Sequence, residues 1–472
     1  MPVSSSTGIE IGRRALQAHQ TALQIAGHNI ANANTDGYSR RRVDLQSVPG
    51  PPNGIGSGVD VAAVVRQRSG FIDAQMRVEQ QVLGRWEAME RALTGIESIF
   101  NEPAGGGSSE AGTIFNEPSG LGLSGSLSRF WNAWQDLSNV PESGAARAAV
   151  RQEGDFLVNT MHDLSNQLTD SQRGLDEEIV REVEQINEIL DSLAALNTEI
   201  PRSGQGSGTA GDLLDHRDRL LEELSMRVDI SLLEADNGQV SVLLAGHTLL
   251  QGNASVDLAV RQIVQNDFPT SVIFFSDDGS LAPVREGRVR GLMEIRDQTI
   301  PDFLNRLNVL AETLVTEVNA VHRTGTDSTG STGRDFFDHA RLSASDIALS
   351  SDVLADLNNI AASGDGNVGD NAVALEIAAL RNNDSVANLG GDTIEGFYFT
   401  LLGEVGARSK EAQTMAENHR LFASQIENRR QSVQGVSLND EAAQLVLFQR
   451  AYQAAARTVS IIDDLMEVTI NL

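Results

Sequence analysis

Apolar positions recur at helical spacing at both ends of the chain. Near the N-terminus Ile9, Leu16, Leu23 and Ile30 repeat every seven residues, and the intervening positions Gly12, His19, Ala26 and Ala33 are mostly small. At the C-terminus Leu445, Phe448, Tyr452, Ala455, Val459, Ile462 and Met466 alternate steps of three and four. This heptad pattern keeps one apolar seam of an under-wound helix against a partner helix. A second seam runs along the same segment through Leu447, Ala451, Ala454, Ile461, Leu465, Val468 and Leu472. A surface helix needs one stripe, so two stripes predict neighbours on two sides. Termini usually fray and stay polar. Long apolar termini like these are expected to pair with each other and with other subunits.

The first helix is predicted from about Ser6 to Ala33, ending in the turn-tolerant residues Asn32, Asn34, Asp36 and Gly37. SRRRVDLQSV and GVDVAAVVRQ alternate around PGPPNGIGSG and read as a hairpin with a long loop. A helix resumes from Ser69 to about Phe100, followed by a Gly/Ser loop in which IFNEP occurs at Ile99 to Pro103 and again at Ile114 to Pro118. A surface loop accepts such a duplication at little cost. From about Gly122 to Ile200 the pattern is helical. Leu127, Phe130, Trp134 and Leu137 form one apolar face, and Ile179, Val183, Ile186, Leu190 and Leu193 form a heptad seam. Asn197 takes the next seam position, where a polar residue is expected to fix register. IPRSGQGSGTAG breaks the pattern before the helix DLLDHRDRLLEELS.

Between Val228 and about Val284 the character turns to β, with DNG and DDG as hairpin turns. Helical pattern returns from about Val289 to His322, and a less regular region reaches Asn383. Helices from about Ile394 to Ser432 and from Leu438 onward close the chain. The expected fold is multidomain and mainly α: a long helical-bundle or coiled-coil rod from the paired N- and C-terminal segments, with an inserted β-rich domain. Five regions follow: 1–68, an N-terminal axial helix and hairpin; 69–226, the first part of the helical rod; 227–286, the β-rich insertion; 287–434, the second part of the rod, irregular near 324–390; and 435–472, the C-terminal axial helix.

Composition narrows the function. Length 472 suits several domains, and 4% aromatic content fits Ala- and Leu-seamed helices better than an aromatic-rich core. The 36 basic against 65 acidic residues give a net charge of −29, which repels nucleic acid and anionic lipid. Only Lys410 among the basic residues is lysine, which reads as a coding or habitat bias. With no cysteine there is no disulfide, thiolate metal site or cysteine nucleophile. No apolar run reaches the roughly 18 residues of a membrane span. The start MPVSSSTGIEIGRR carries no ordinary secretory signal, so by these signals alone a cytoplasmic protein is expected.

Sites for chemistry are scarce. There is no Walker loop, no G-x-S-x-G and no H-E-x-x-H, and the eight histidines are scattered. His19 lies on a seam and reads as a packing residue. DGNVGDNAVALE puts Asp365, Asn367 and Glu376 at the first, third and twelfth positions of an EF-hand-like loop. Gly369 and Asp370 at its fifth and sixth positions are reversed for that loop's turn, so a cap by Asp370 or Asn371 on a short helix is the favoured reading. The pairs Glu177–Glu178 and Asp463–Asp464 read as solvated charges, and Arg40, Arg41 and Arg42 as strand surface or a subunit contact. The aromatic run from Phe130 to Trp134 has the spacing of a core face rather than a stacking platform. No enzyme, metal or cofactor emerges.

The stretch NIANANTDGYSR carries the clearest identity signal. Its Asn29, Ile30, Ala31, Asn32, Thr35, Gly37 and Tyr38 resemble the N-terminal signature of the bacterial flagellar rod, hook and hook-associated axial proteins. Physically it is a helix end with a sharp exit, where Asn side chains satisfy orphan backbone groups, Gly37 permits the turn and Tyr38 anchors the next strand. Residues 115–143 (FNEPSGLGLSGSLSRFWNAWQDLSNVPES), GDLLDHRDRLLEELSMRVDI, the segment 284–325 and the ending GVSLNDEAAQLVLFQRAYQAAARTVSIIDDLM resemble the hook-associated protein 1 branch of that family. The likeness covers nearly the whole chain. The IFNEP duplication departs from it, and the short span between Phe337 and Asn383 implies that the outer β domain of larger members is missing.

The resemblance implies a non-enzymatic structural component forming the hook–filament junction, the alternative being another axial protein, hook or distal rod. It implies partners: further copies of itself, the flagellar hook protein, a second junction protein (hook-associated protein 3) and an export chaperone. It also implies export through the flagellar type III channel without a cleaved signal, and an extracellular location, in place of the cytoplasmic expectation. Assembly would then use the N-terminal seam Ile9, Leu16, Leu23 and Ile30. The C-terminal seam Leu445, Phe448, Tyr452, Ala455, Val459, Ile462, Leu465 and Met466 would serve assembly, with chaperone contact over Leu445 to Ile462. Ordering such termini only on assembly costs entropy that several stripes buried together offset.

Overall fold

The computed structural model describes residues 5–50, 56–100, 122–203, 208–265, 268–367 and 369–470. Eleven named α-helices and eight strands are found among them: α1 (Ser5–Ala31), β1 (Arg41–Ser47), β2 (Val59–Arg66), α2 (Gly70–Phe100), α3 (Leu123–Asn139), α4 (Gly144–Arg202), α5 (Gly208–Arg227), β3 (Ile230–Glu234), β4 (Val240–Leu244), β5 (His247–Gln251), β6 (Ala254–Ser255), β7 (Leu258–Gln265), β8 (Phe268–Phe275), α6 (Arg288–Glu294), α7 (Ile300–His322), α8 (Ser351–Ala355), α9 (Ala372–Ala379), α10 (Ile394–Gln434) and α11 (Leu438–Ile470). The fold is mainly α, with paired terminal helices and small antiparallel sheets, as the periodicity predicts. The IFNEP duplication and seam residue Leu472 lie outside the described residues, apart from Ile99 and Phe100.

Two helices differ from their sequence outlines. The single run expected over 122–200 breaks at 140–143, where Pro141 denies a backbone donor, giving α3 and α4. The run expected over 289–322 carries a π turn at Ile295–Thr299, with the Ile300 N–H bonding the Ile295 carbonyl. Pro301 follows at once, and a widened turn absorbs the bond that a proline cannot make.

The chain divides into two compact units. The first gathers residues 1–85, 181–289 and 417–472. It contains α1 and α11, the β1–β2 hairpin, the four-stranded meander β3-β4-β5-β6 and the β7–β8 ribbon, every pairing being antiparallel. Here α4 carries two asparagine clamps. Asn197 donates to the Val240 and Gly252 carbonyls at 2.8 Å each and accepts from the Val240 N–H at 2.9 Å. Asn187 exchanges a pair of bonds with the Leu258 backbone. Asn197 thus fixes strands rather than the register of a partner helix: unpaired strand groups offer a buried carboxamide both a donor and acceptors.

The second unit gathers residues 86–180 and 290–416. Its core is aromatic: Phe130, Trp131 and Trp134 are fully buried against Phe336 and Phe337, with Trp134 and Phe336 centroids 5.2 Å apart and edge-on. No face of these rings is free for a stacked ligand. The irregular segment after α7 is held on by Asn319, which accepts from the Phe336 and Phe337 N–H groups and donates to the Phe337 carbonyl, all at 2.9 Å.

Candidate assembly interface

Within the first unit α1 and α11 run antiparallel. Gly8 faces Ile462, Gly12 faces Val459 and the Ala455 carbonyl, the His19 ring lies 6.4 Å from Phe448, and Asn29 reaches Glu441. A Cβ on Gly12 would stand 2.4 Å from Val459 Cγ2, so the approach of the helices depends on glycine there. Ala18, Ala22 and Ala26 are buried, while Ile9, Leu16, Leu23 and Ile30 are half-buried along the flanks. On α11, Leu445, Phe448, Ala455, Val459, Ile462 and Met466 are half-buried, and Tyr452 and Leu465 are exposed.

The second stripe of α11 faces solvent. Leu447, Ile461, Leu465 and Val468 are 62%, 59%, 60% and 58% exposed, with Ala454 exposed among them. Fully burying one such side chain is worth about 1.5–3 kcal/mol. A row of four along one helix is therefore a large apolar surface left open, the mark of an interaction face.

The NIANANTDGY stretch is the joint that aims this helix pair. α1 ends at Ala31, and Asn32 caps it by donating to the His28 carbonyl at 3.0 Å. Gly37 takes φ +75, and the Arg219 side chain lies where its Cβ would be. The turn returns Tyr38 to the helix it has just left. The Tyr38 hydroxyl donates to Asn29 Oδ1 at 2.7 Å, and Oδ1 also accepts from the Arg41 N–H at 3.0 Å. Asn29 Nδ2 donates to the Arg41 carbonyl at 2.9 Å and to Glu441 Oε2 at 3.0 Å. All four bonding directions of this buried carboxamide are used, and they join α1, the start of β1 and the first turn of α11. Arg40 completes the joint with a 2.7 Å contact to Glu441, which is 1% exposed. A carboxylate in the first turn of a helix is also favoured by the helix dipole. Burial pushes the Tyr38 phenol up to about 12, so it keeps its donor proton to higher pH than a free phenol.

Beneath the joint an arginine–carboxylate network ties the hairpin to α5. Arg41 bonds Asp212 and Asp215, Arg66 bonds Asp215 at 2.8 Å and Asp218 at 2.9 Å, and Arg68 bonds Asp218 and Asp73. Arg41 is therefore buried rather than strand surface, because α5 presents acceptors to it; Arg42 is exposed. Burial would raise Asp218, but Arg217, Arg68 and Arg66 outweigh it and hold its carboxyl below the usual range. Glu222 goes the other way: burial dominates over its Arg430 partner and raises it. Sequence reading missed this network and Glu441. The available signal was Asp212, Asp215 and Asp218 at three-residue steps on one face of a helix, opposite Arg41 and Arg66 in one hairpin and Arg68 just after it.

The sites considered for chemistry resolve as structure. Asp370 accepts from the Ser363 hydroxyl at 2.8 Å and from the Asp365 and Ala372 N–H groups, which lower its carboxyl to about 2. It closes the loop just ahead of α9, while Asn371, at the N-cap position, makes no cap bond and donates its side chain to the Ser138 carbonyl at 2.6 Å; Glu376 is exposed on that helix. Asp463 and Asp464 are exposed. Among the described residues one set of potential metal ligands converges, His247 with Asp277 and Asp278. Both carboxylates there accept N–H groups of their own turn, at 2.8 and 2.7 Å, the geometry of a hydrogen-bonded turn. No described helix is long and apolar enough to cross a membrane.

Comparison with known proteins bears on the same elements. Residues 9–38 match the family described as flagella basal body rod protein, and residues 430–472 match flagellar basal body rod FlgEFG protein C-terminal. Residues 108–337 match flagellar hook-associated protein FlgK helical domain. Flagellar hook-associated protein 1 of Bacillus subtilis is 30% identical over 513 aligned positions, covering 99% of this chain and 98% of the relative. Its counterpart in Salmonella typhimurium is 24% identical, covering 97% of this chain and 98% of the relative. The solved flagellar hook junction protein FlgK from Burkholderia pseudomallei superposes with a TM-score of 0.63 at 14% identity, over 76% of this chain and 100% of that one. That likeness is one of fold.

Proposed function

The chain belongs to the flagellar hook-associated protein 1 family, and on that premise we propose that it joins the flagellar hook to the filament, assembling with copies of itself through its terminal helices. The coarser role needs no proposal: it is a flagellar structural protein of the axial family, found in the extracellular flagellum. One observation carries the finer reading. α11 is covered by α1 along one stripe and leaves Leu447, Ile461, Leu465 and Val468 open on the other. A subunit stacked beside identical subunits needs such a second face, and a head-to-tail contact of this kind closes into a ring or continues as a helix. The flagellar hook protein would bind on one side and hook-associated protein 3 on the other. Before assembly, an export chaperone would hold α11 through Leu445 to Ile462. The route out would be the flagellar type III channel, without cleavage of a signal.

Leu465→Asp is the cleaner test of the assembly face, because Ile462 faces Gly8 of α1 and Ile462→Asp would also break the helix pair. Cells carrying Leu465→Asp are expected to make hooks without filaments and to release flagellin into the medium, with the protein itself folded and exported. Normal filaments in those cells would sink the assembly reading. Loss of the hook on deleting the gene would move the protein down to the hook or distal rod.

A further inference from the structure

His322 closes α7 inside the second unit, fully buried, with both ring nitrogens committed to opposite roles. Nδ1 lies 2.8 Å from the Arg334 carbonyl, which can only accept, so Nδ1 carries the proton. Nε2 lies 2.9 Å from the Ala361 N–H, which can only donate, so Nε2 offers its lone pair. The surroundings therefore select one neutral tautomer. These two bonds tie two points of the irregular segment between α7 and α9, Arg334 and Ala361, to the end of α7. A second proton on the ring would set an N–H against the Ala361 N–H and leave a cation next to the Trp134 ring, 6.1 Å away, and Phe336, 5.8 Å away.

We propose that His322 is an acid-sensitive latch: protonation of its ring releases residues 324–334 and 358–363 from the end of α7, while Phe336 and Phe337, held by Asn319, and the helices of the unit stay in place. The charges around it are these. Arg323 follows it on the chain and pairs with Asp335. Arg334 pairs with Asp327 and Asp352 in the segment itself. From α4, buried Arg147 donates to the Ile360 carbonyl at 3.2 Å, beside the Ala361 amide, and its fixed charge opposes a second cation there. α3 presents Trp134, and α9 presents the apolar Val373 beside Gly325.

Burial drives the His322 pKa below that of a free imidazole, with the Arg334 carbonyl, Asp335 and Asp327 opposing it only partly. The sign follows. Above the unperturbed value of about 6.5 neither open nor closed segment takes a proton and the latch holds. Below it the open form protonates first, so the opening constant rises about tenfold per pH unit until the closed form also titrates. The neighbouring histidines have a different hydrogen-bond setting. From α4, His162 meets the Ile347 carbonyl at 2.8 Å, and within the segment His339 meets the Asp335 carboxylate at 3.0 Å; both partners are acceptors, which an N–H of either ring can serve. Asp327 and Asp335 are each lowered despite burial and titrate on the acid side of the window.

The experiment is amide hydrogen exchange on the full chain between pH 7.5 and 5.5, corrected for the intrinsic pH dependence of exchange. Protection in 324–334 and 358–363 is expected to hold down to about pH 6.5 and then fall about tenfold per unit, with α7, α4 and the Phe336 and Phe337 amides unchanged. His322→Gln, which keeps a donor and an acceptor but cannot titrate, should flatten that response, and His339→Gln should leave it intact. A flat wild-type profile, a fall spread over the whole unit, or a response that survives His322→Gln would each overturn the proposal. Should His322→Gln not fold, the wild-type and His339→Gln profiles still decide by where and at what pH protection is lost.

Discussion

Asn29 illustrates how much one side chain can specify. Its carboxamide serves the Tyr38 hydroxyl, both backbone groups of Arg41 and the Glu441 carboxylate, at a site 1% exposed. Asn29→Asp changes almost nothing in shape but replaces the donor by an acceptor facing a carbonyl and a carboxylate. Leaving such groups unsatisfied costs about 1–3 kcal/mol each, and more where a charge is involved. We expect a denaturation midpoint at pH 7 well below wild type, by about 3 kcal/mol or more in stability. Facing Glu441, the new carboxyl would have a raised pKa in the folded state. Its proton restores the donor, so stability is recovered as pH falls and lost as pH rises through that pKa. Denaturant titrations at pH 7 and pH 5 measure it; an equal deficit at both would refute the account.

At the scale of the element, two glycines on α1 separate backbone propensity from packing. Gly→Ala inside a helix gains about 1 kcal/mol from propensity alone. At Gly27 a Cβ would meet nothing within 4 Å, so Gly27→Ala should raise stability by up to about that amount. At Gly12 it would stand 2.4 Å from Val459 Cγ2. Overpacking of that kind costs about 1–3 kcal/mol, so Gly12→Ala should destabilise despite its propensity. Adding Val459→Ala should return part of the loss. The double-mutant cycle over Gly12 and Val459, read by thermal denaturation, should give a coupling of about 1 kcal/mol or more. Additive effects would mean that the helices do not meet as described.

For the molecule as a whole the net charge of −29 sets the terms of association. Like-charged subunits repel over roughly a Debye length, about 10 Å at 0.1 M salt and 3 Å at 1 M. On the proposed reading the attraction comes from the outer stripe of α11, which salt does not weaken. The yield of assembled over monomeric protein should therefore increase with ionic strength, by sedimentation or light scattering. Leu465→Asp should remain monomeric across the same range. A contact carried by ion pairs would show the opposite dependence on salt.

The sequence by itself determined the helices except for the break at 140–143 and the π turn at Ile295–Thr299, the hairpins, the buried aromatic run at Phe130 to Trp134 and the two stripes of α11. Each of these is written in spacing over a few turns, and backbone geometry converts spacing into faces without reference to distant residues. Only the tertiary structure decided which stripe is covered, because that depends on α1 arriving from the other end of the chain with glycine at Gly8 and Gly12. It also decided that Asn197 clips strands instead of a helix, that Arg41 goes inside to meet Asp212 and Asp215, and that His322 holds one tautomer between Arg334 and Ala361. A polar side chain carries no local mark of its partner. Its role is set by whichever unpaired donors and acceptors the folded chain brings beside it.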